Sequence, residues 1–349
     1  MRIVVNDIAA STGGAMTVLR DFHTWVCEND RENEWIFLLG DRYFEETENV
    51  RIRILPEIKK SGWKKLWFDF VTGRKYIESL EPDVVFSLQN IITFGVKVPQ
   101  VVYIHQSIPF QTTKRFSFLR ASERKLAVIQ YLIGSIIKLS ARKSDCVIVQ
   151  TKWMQEAVCE MCQLPTDKVM TSLPRVKAVP QPNEAVVFEP TKFFYPTAPA
   201  SYKNNECIFR GSELLDKKGI KHEVTLTLAP EKARGSVNCV GRLPYEQLFD
   251  YYRGGTLIFP SYIETFGYPM AEARCVGTLV LASDTPFSRE VLDGYENAYF
   301  FDPFCPEELA DLMGQVATGK LVRREVIEVA AETADAWAQV TERITTMKK

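Results

Sequence analysis

The stretch LIFPSYIETFGYPMAEA, residues 257–273, decides how this chain is read. Leu257–Phe259 is a short apolar run of the kind that forms a buried strand. A polar turn follows, and a helix is expected to open near Phe266 and Gly267. Backbone N–H groups at a helix start lack intrahelical partners and sit at the positive end of the dipole, so a phosphate can rest on them. Glu264 lies before that helix and Glu272 within it. Carboxylates accept hydrogen bonds from sugar hydroxyls. The turn therefore suits a sugar phosphate, and it reads equally well as an ordinary capped helix with acidic residues near its start.

Outward from this stretch, short apolar runs alternate with helix-period segments. Strands are expected at 3–8, 35–39, 50–55, 84–88, 101–105, 146–149 and 169–173. A second series is expected at 193–195, 224–228, 237–240, 257–259, 279–282 and 298–301. Helices fit between them at 15–27, 63–80, 118–143, 152–161, 205–217, 245–252 and 268–275, with more from Pro306 onward. Runs of Val, Ile and Leu that do not alternate with polar residues point to strands buried on both faces, hence to parallel, doubly wound sheets. Pro174, Pro180, Pro182 and Pro190 break the pattern and mark a linker. The expected division is 1–180, 181–330, and a C-terminal helix at 331–349 with the first domain as its candidate packing partner. Two such domains direct their strand ends towards a shared cleft.

Composition sets limits. The chain has 349 residues, enough for two domains, with 46% hydrophobic and 25% charged residues, as in ordinary globular proteins. A formal net charge of -1 does not favour nucleic acid. Of the eight cysteines only Cys159 and Cys162 are close together, with no further ligands nearby, so no metal is expected and reduced thiols are. Met1 leads directly into a strand-like run without a signal-peptide pattern, and no apolar stretch reaches the ~20 residues of a membrane span. A cytoplasmic protein is expected, with the inner face of the cell membrane as a candidate contact.

The pattern P-S-x-x-E-x-F-G-x-P-x-x-E-A around Glu264 and Glu272 resembles the retaining glycosyltransferases of family 4, glycosyl transferases group 1. The resemblance implies the GT-B fold: two Rossmann-like doubly wound domains facing each other across a cleft, the first (1–180) binding the acceptor and the second (181–330) the nucleotide sugar. It also implies a role for each matching residue. Glu264 would contact the donor sugar, Glu272 the ribose, and the backbone of Thr265, Phe266 and Gly267 the diphosphate. Gly13 and Gly14, after the first strand, match the loop that faces the diphosphate. His105, ending an apolar strand, matches a residue that approaches the donor sugar. Lys203, in a Lys-Asn pair, matches the cation on the diphosphate, and Gly241 the turn beside the base. His105, Lys203 and Glu264 are thus the candidate catalytic residues. One departure is plain: many members carry an Arg shortly before this Lys, and residues 196–202 offer none.

The implied activity is transfer of a hexose-type sugar from a nucleotide-diphosphate sugar to a glycan or lipid-linked glycan, with retention, in bacterial surface polysaccharide assembly, and without metal or other cofactor. A non-catalytic glycan-binding or partner subunit and a nucleotide-sugar epimerase are the alternatives. Charge is uneven: residues 1–180 carry a net +5 and the remainder -6. Lys59, Lys60, Lys64 and Lys65 interleave with Trp63 and Trp67, and Lys114 and Arg115 begin a second basic window. This mix suits an anionic membrane or an acceptor, and reads also as a solvated face over a core-facing aromatic stripe.

Overall fold

In a computed structural model of the chain, residues 1–10, 14–174, 176, 179–181, 183, 185–325 and 336–347 are described. The unbroken apolar runs become parallel strands in two separate sheets, each within its own unit. The first unit comprises Met1–Pro174 and Thr333–Lys349, the second Arg175–Glu332.

The first sheet contains β1 (Arg2–Asp7), β2 (Glu34–Leu39), β3 (Val50–Ile54), β4 (Val84–Ser87), β5 (Gln100–Ile104), β6 (Cys146–Val149) and β7 (Val169–Thr171). Their order is β3-β2-β1-β4-β5-β6-β7. The connecting helices are α1 (Gly14–Asn29), α2 (Pro56–Lys59), α3 (Gly62–Trp67), α4 (Gly73–Glu78), α5 (Arg124–Ala127), α6 (Gly134–Lys143) and α7 (Lys152–Cys162). Both faces of β1 are buried: Ile3 and Val5 join one apolar cluster, and Val4 joins another together with Ile8 just past the strand. That is why its sequence shows no alternation.

Phe22 of α1 is the hub of the first cluster. Its ring lies 5.4 Å from Trp35, 5.2 Å from Phe86 and 4.9 Å from Trp337. Trp337 belongs to the helix Ala336–Thr345, which buries Trp337, Val340 and Ile344 in this core although it follows the second unit in sequence.

Two expected helices are interrupted. The segment expected to be helical over 63–80 holds a π-helical turn at Phe68–Thr72, closed by the Gly73 N–H on Phe68 O. The one expected over 118–143 starts only at Arg124 and holds a π-helical turn at Val128–Ile133, followed by Gly134. Each glycine sits against a neighbour. A Cβ on Gly73 would meet Phe68 O at 2.6 Å, and one on Gly134 would meet Pro109 Cβ at 2.8 Å. Such wide turns insert one residue into the helical ladder.

The second sheet contains β8 (Lys192–Tyr195), β9 (Glu223–Leu226), β10 (Val237–Cys239), β11 (Thr256–Phe259), β12 (Val280–Ser283) and β13 (Ala298–Phe301), in the order β10-β9-β8-β11-β12-β13. Its helices are α8 (Asn205–Lys217), α9 (Tyr245–Gly254), α10 (Tyr268–Cys275), α11 (Pro286–Val291) and α12 (Pro306–Ala317). Phe194 stacks on Tyr251 at 4.5 Å, locking α9 onto β8.

Both sheets reverse their winding once, between β1 and β4 and between β8 and β11. At such a switch the loops leaving neighbouring strands diverge and open a crevice at the carboxyl ends. Trp337→Ala should destabilise the first unit by about 3–5 kcal/mol, as loss of a large buried ring does, measured by urea unfolding. An unchanged midpoint would mean that the terminal helix contributes nothing to this core.

Candidate functional site

The loops leaving β8 and β11 lie side by side because these strands are neighbours at the switch. After β8 a 3-10 turn, Ser201–Lys203, leads to Asn204, whose backbone is left-handed at φ +56°. Asn204 Nδ2 donates to Pro260 O at 3.2 Å and to Pro303 O at 2.6 Å. The Tyr262 N–H donates to Tyr202 O at 3.1 Å. These ties bring Lys203 Nζ to 2.5 Å from Glu264 Oε1, and Ser261 Oγ stands 2.8 Å from the same oxygen.

Both contacts fall on one carboxylate oxygen. Burial opposes the charge on Lys203, but attraction to Glu264 and Tyr195 and the hydrogen bond to Glu264 outweigh it. The pKa is therefore raised, and Lys203 is an ammonium at neutral pH.

The turn after Glu264 ends at Gly267, the residue before α10, with φ +90°. A Cβ there would stand 2.6 Å from Met270 Cε, the mobile end of a flexible side chain, so it is the backbone angle that calls for glycine. Thr265, Phe266 and Gly267 thus form the approach to a helix start, with Phe266 buried and Pro269 in the first turn. Gly241, after β10, is also left-handed at φ +77°; its N–H donates to Leu228 O at 2.8 Å, and open space lies where a Cβ would be.

Glu272 is buried on α10, and its Oε2 accepts from the Tyr252 hydroxyl of α9 at 2.9 Å. Burial first, and the Glu272 charge second, push the Tyr252 pKa up and keep that hydroxyl a donor. Glu272 is therefore tied to α9.

In the first unit, the His105 N–H donates to Asn90 Oδ1 at 2.7 Å, and Asn90 Nδ2 lies 3.2 Å from His105 Nε2. The Asn90 amide thus acts as donor to Nε2, which assigns the neutral ring proton to Nδ1. Nδ1 is buried and has no hydrogen-bond partner among the described residues. Burial pulls the His105 pKa down to about 4, so the ring is neutral at pH 7. Gly14 opens α1, while Gly13 lies outside the described residues.

The basic surface residues divide. Trp63 and Trp67 are exposed at 83% and 62%, and Lys60, Lys64 and Arg115 are exposed as well. Lys60 and Lys64 pair with Glu57. Lys59 is half-buried against Tyr43, and Lys114 is half-buried beside Glu123 at 3.3 Å. Lys65 departs from the expected surface group. It turns inward to the buried Asp69 at 3.0 Å, because that carboxylate needs a counter-charge.

Residues 201–333 match the family model described as Glycosyl transferases group 1.

This span holds Lys203, Gly241, Glu264, Gly267 and Glu272. Among solved structures, WaaG, a glycosyltransferase involved in lipopolysaccharide biosynthesis, matches with 13% identity, 99% of both chains covered and a TM-score of 0.69. Sucrose-phosphate synthase from Thermosynechococcus elongatus matches with 15% identity, 100% of this chain and 95% of that chain covered, and a TM-score of 0.63. Anabaena HepE, in complex with UDP and glucose, matches with 14% identity, 99% and 97% covered, and a TM-score of 0.60. No curated protein sequence matches the chain. The likeness to these structures is one of fold, and the α/β fold is that of the GT-B glycosyltransferases.

Sequence reasoning passed over Ser261, Tyr252 and Asn90 as functional positions. Ser261 stands inside the quoted motif and was within reach. Tyr252 and Asn90 act across the fold and carry no local signal.

The depressed pKa of His105 links to stability. Its neutral form is favoured in the fold, so stability is full above the unfolded value of about 6.5 and is lost as pH falls towards 4. His105→Gln should remove on the order of 2–3 kcal/mol of that acid sensitivity. Denaturant unfolding of both proteins at pH 7.5 and 4.5 measures it. Equal losses in the two would show that His105 does not titrate in this window.

Proposed function

We propose that the chain is a nucleotide-sugar-dependent glycosyltransferase that moves a hexose-type sugar to a glycan or lipid-linked glycan acceptor with retention. The carrying observation is the contact of Lys203 and Ser261 with one oxygen of Glu264 at the β8/β11 switch, inside the segment that matches the family model. In this reading the Lys203 ammonium moves onto the donor diphosphate and stabilises the charge that develops on the leaving group. Glu264 takes a sugar hydroxyl, the start of α10 at Gly267 receives phosphate oxygens, Glu272 holds the ribose and Gly241 flanks the base. His105 offers Nδ1–H to a ligand oxygen.

A front-face substitution needs no enzyme nucleophile: the departing diphosphate oxygen takes the proton of the incoming hydroxyl. No metal is required for this, since Lys203 and the helix dipole supply the positive field. The likeness to HepE, solved with UDP and glucose, favours a nucleoside diphosphate donor. The likeness to WaaG suits a role in bacterial surface polysaccharide assembly.

Lys203→Ala and Glu264→Ala should each lower kcat by about 10²–10³-fold, the usual effect of removing one preorganised stabilising group, with melting temperatures that show folded protein. Near-native turnover in either variant removes that residue from the site. Thermal-shift screening against UDP, GDP, ADP, CMP and dTDP should show selective stabilisation by one of them. No shift from any would favour a non-catalytic subunit.

A second surface carries its own observation. Exposed Trp63, Trp67, Phe70 and Val71 run along α3 and the π-helical turn after it, beside Lys60 and Lys64. Trp63, Trp67, Ile58 and Phe68 line a shallow recess of about 410 Å³. Among the described residues no helix is long and apolar enough to cross a membrane. Exposed indoles beside lysines suit peripheral contact with an anionic bilayer on the cytoplasmic side. Replacing both Trp63 and Trp67 by Ser should weaken sedimentation with phosphatidylglycerol vesicles by about tenfold. Equal binding by the double variant would exclude this face.

A further inference from the structure

Two tyrosines of α9 have no part in the steps above. Tyr245, Phe249 and Tyr252 fall at i, i+4 and i+7, which sets them on one face of the helix. Their rings meet edge to face: Tyr245 lies 5.2 Å from Phe249, and Phe249 lies 5.5 Å from Tyr252. Phe194 of β8 closes the row, 5.7 Å from Tyr252. α10 packs against α9, and Glu272 is the acidic side chain that α10 buries.

A fully buried phenol needs a partner for its O–H. Tyr252 is fully buried, and Glu272 Oε2 accepts from it at 2.9 Å. An ionised carboxylate can only accept, so the phenol is the donor and the bond is charge-assisted. The main chain of Tyr252 is held as well. Its carbonyl accepts from Thr278 Oγ1 at 2.7 Å, and Thr278 is itself buried, just past the end of α10. The Tyr245 hydroxyl lies within reach of the same charge: burial raises its pKa first and the Glu272 charge second. An apolar pair would hold α9 on α10 at lower cost, since a buried charge gives up its hydration. What the phenol adds is direction. A glutamate side chain left to itself samples several rotamers, and Tyr252 selects one of them.

We infer that Tyr252 is a positioning residue: it holds the Glu272 carboxylate in the direction that receives the ribose hydroxyls, with Tyr245 as a second phenol on the same helix face, and so makes the chain select ribonucleotides over their deoxy forms. The ribose contact of Glu272 rests on the transferase reading above; the hold of Tyr252 on Glu272 does not. A carboxylate fixed in advance gives up no rotamer freedom when the nucleotide arrives, which strengthens binding. A nucleotide lacking the hydroxyl leaves a buried acceptor without its donor and is rejected for that reason. Removal of the Tyr252 hydroxyl frees the carboxylate to turn, and the discrimination falls. The diphosphate is held elsewhere, by Lys203 and the start of α10, so the part of the affinity that ignores the ribose remains.

The test uses the full-length protein and isothermal titration calorimetry with UDP, GDP, ADP and CDP, and with the 2′-deoxy and 3′-deoxy form of each. The wild type should bind at least one ribonucleotide about tenfold or more tighter than one of its deoxy forms. Tyr252→Phe should weaken that ribonucleotide by about tenfold and the deoxy form by about twofold or less, so that their ratio falls towards one. A purely structural role for Tyr252 would lower both affinities together and leave the ratio as it was. A preserved ratio in folded Tyr252→Phe therefore overturns the inference, and so does a wild type that binds ribo and deoxy forms equally. In both of those cases nucleotide binding persists and the transferase reading stands. Should melting curves show Tyr252→Phe unfolded, Tyr245→Phe takes its place: a lowered ratio supports the inference, and an unchanged one overturns it. A wild type that binds no nucleotide at all removes the transferase reading and the ribose selection with it.

Discussion

The reversal of strand order between β8 and β11 is the constraint on which the candidate donor chemistry depends. It sets the loop at 196–204 beside the turn at 260–267. Without that adjacency Lys203 and Glu264 would be 61 residues apart and unrelated. Their contact is more than a surface ion pair, because both side chains are largely withdrawn from water. A charge so placed needs its partner: the Coulombic gain offsets the loss of hydration only while both are present. A diphosphate that took the Lys203 ammonium would have to replace Glu264 as its counter-charge. A sugar hydroxyl would then replace Lys203 on the carboxylate.

The first unit solves the same geometric problem differently. Its sheet reverses between β1 and β4, where Asn6, Asp7 and Gln89 are buried and Lys65 is drawn in from α3 onto Asp69. Stability alone would favour apolar side chains at Asn6, Asp7 and Gln89, since unpaired buried polar atoms are costly. The π-helical turns belong to the same economy of form. Each displaces the helix by one residue and ends on a glycine pressed against a neighbour, and each carries exposed apolar side chains into solvent.

Glycine and asparagine positions fix the details. Gly267 holds a backbone angle that a side chain would strain, at the point where the chain enters α10. Asn204 adopts a left-handed angle too, and spends its amide on two carbonyls, one in the β11 loop and one after β13. Local sequence requirements and long-range ties coincide at these two residues, so the site is held by backbone as well as by charge.

The sequence by itself determined the parallel sheets, because strands buried on both faces must be apolar without alternation. It also determined the position of nearly every strand, since most are short unbroken runs between polar turns, while the edge strand β3, Val-Arg-Ile-Arg-Ile, alternates because one of its faces is exposed. Glu264, Gly267 and Glu272 were legible because one turn and one helix hold them within nine residues. Only the tertiary structure decided that Lys203 rests on Glu264, that Tyr252 ties Glu272 and that Lys65 points inward. It alone placed the helix Ala336–Thr345 in the core of the first unit. The reason is physical: periodicity records which face of an element meets the core, whereas pairing between distant side chains depends on strand order. Strand order is set by how the whole sheet packs, and no local stretch of sequence encodes it.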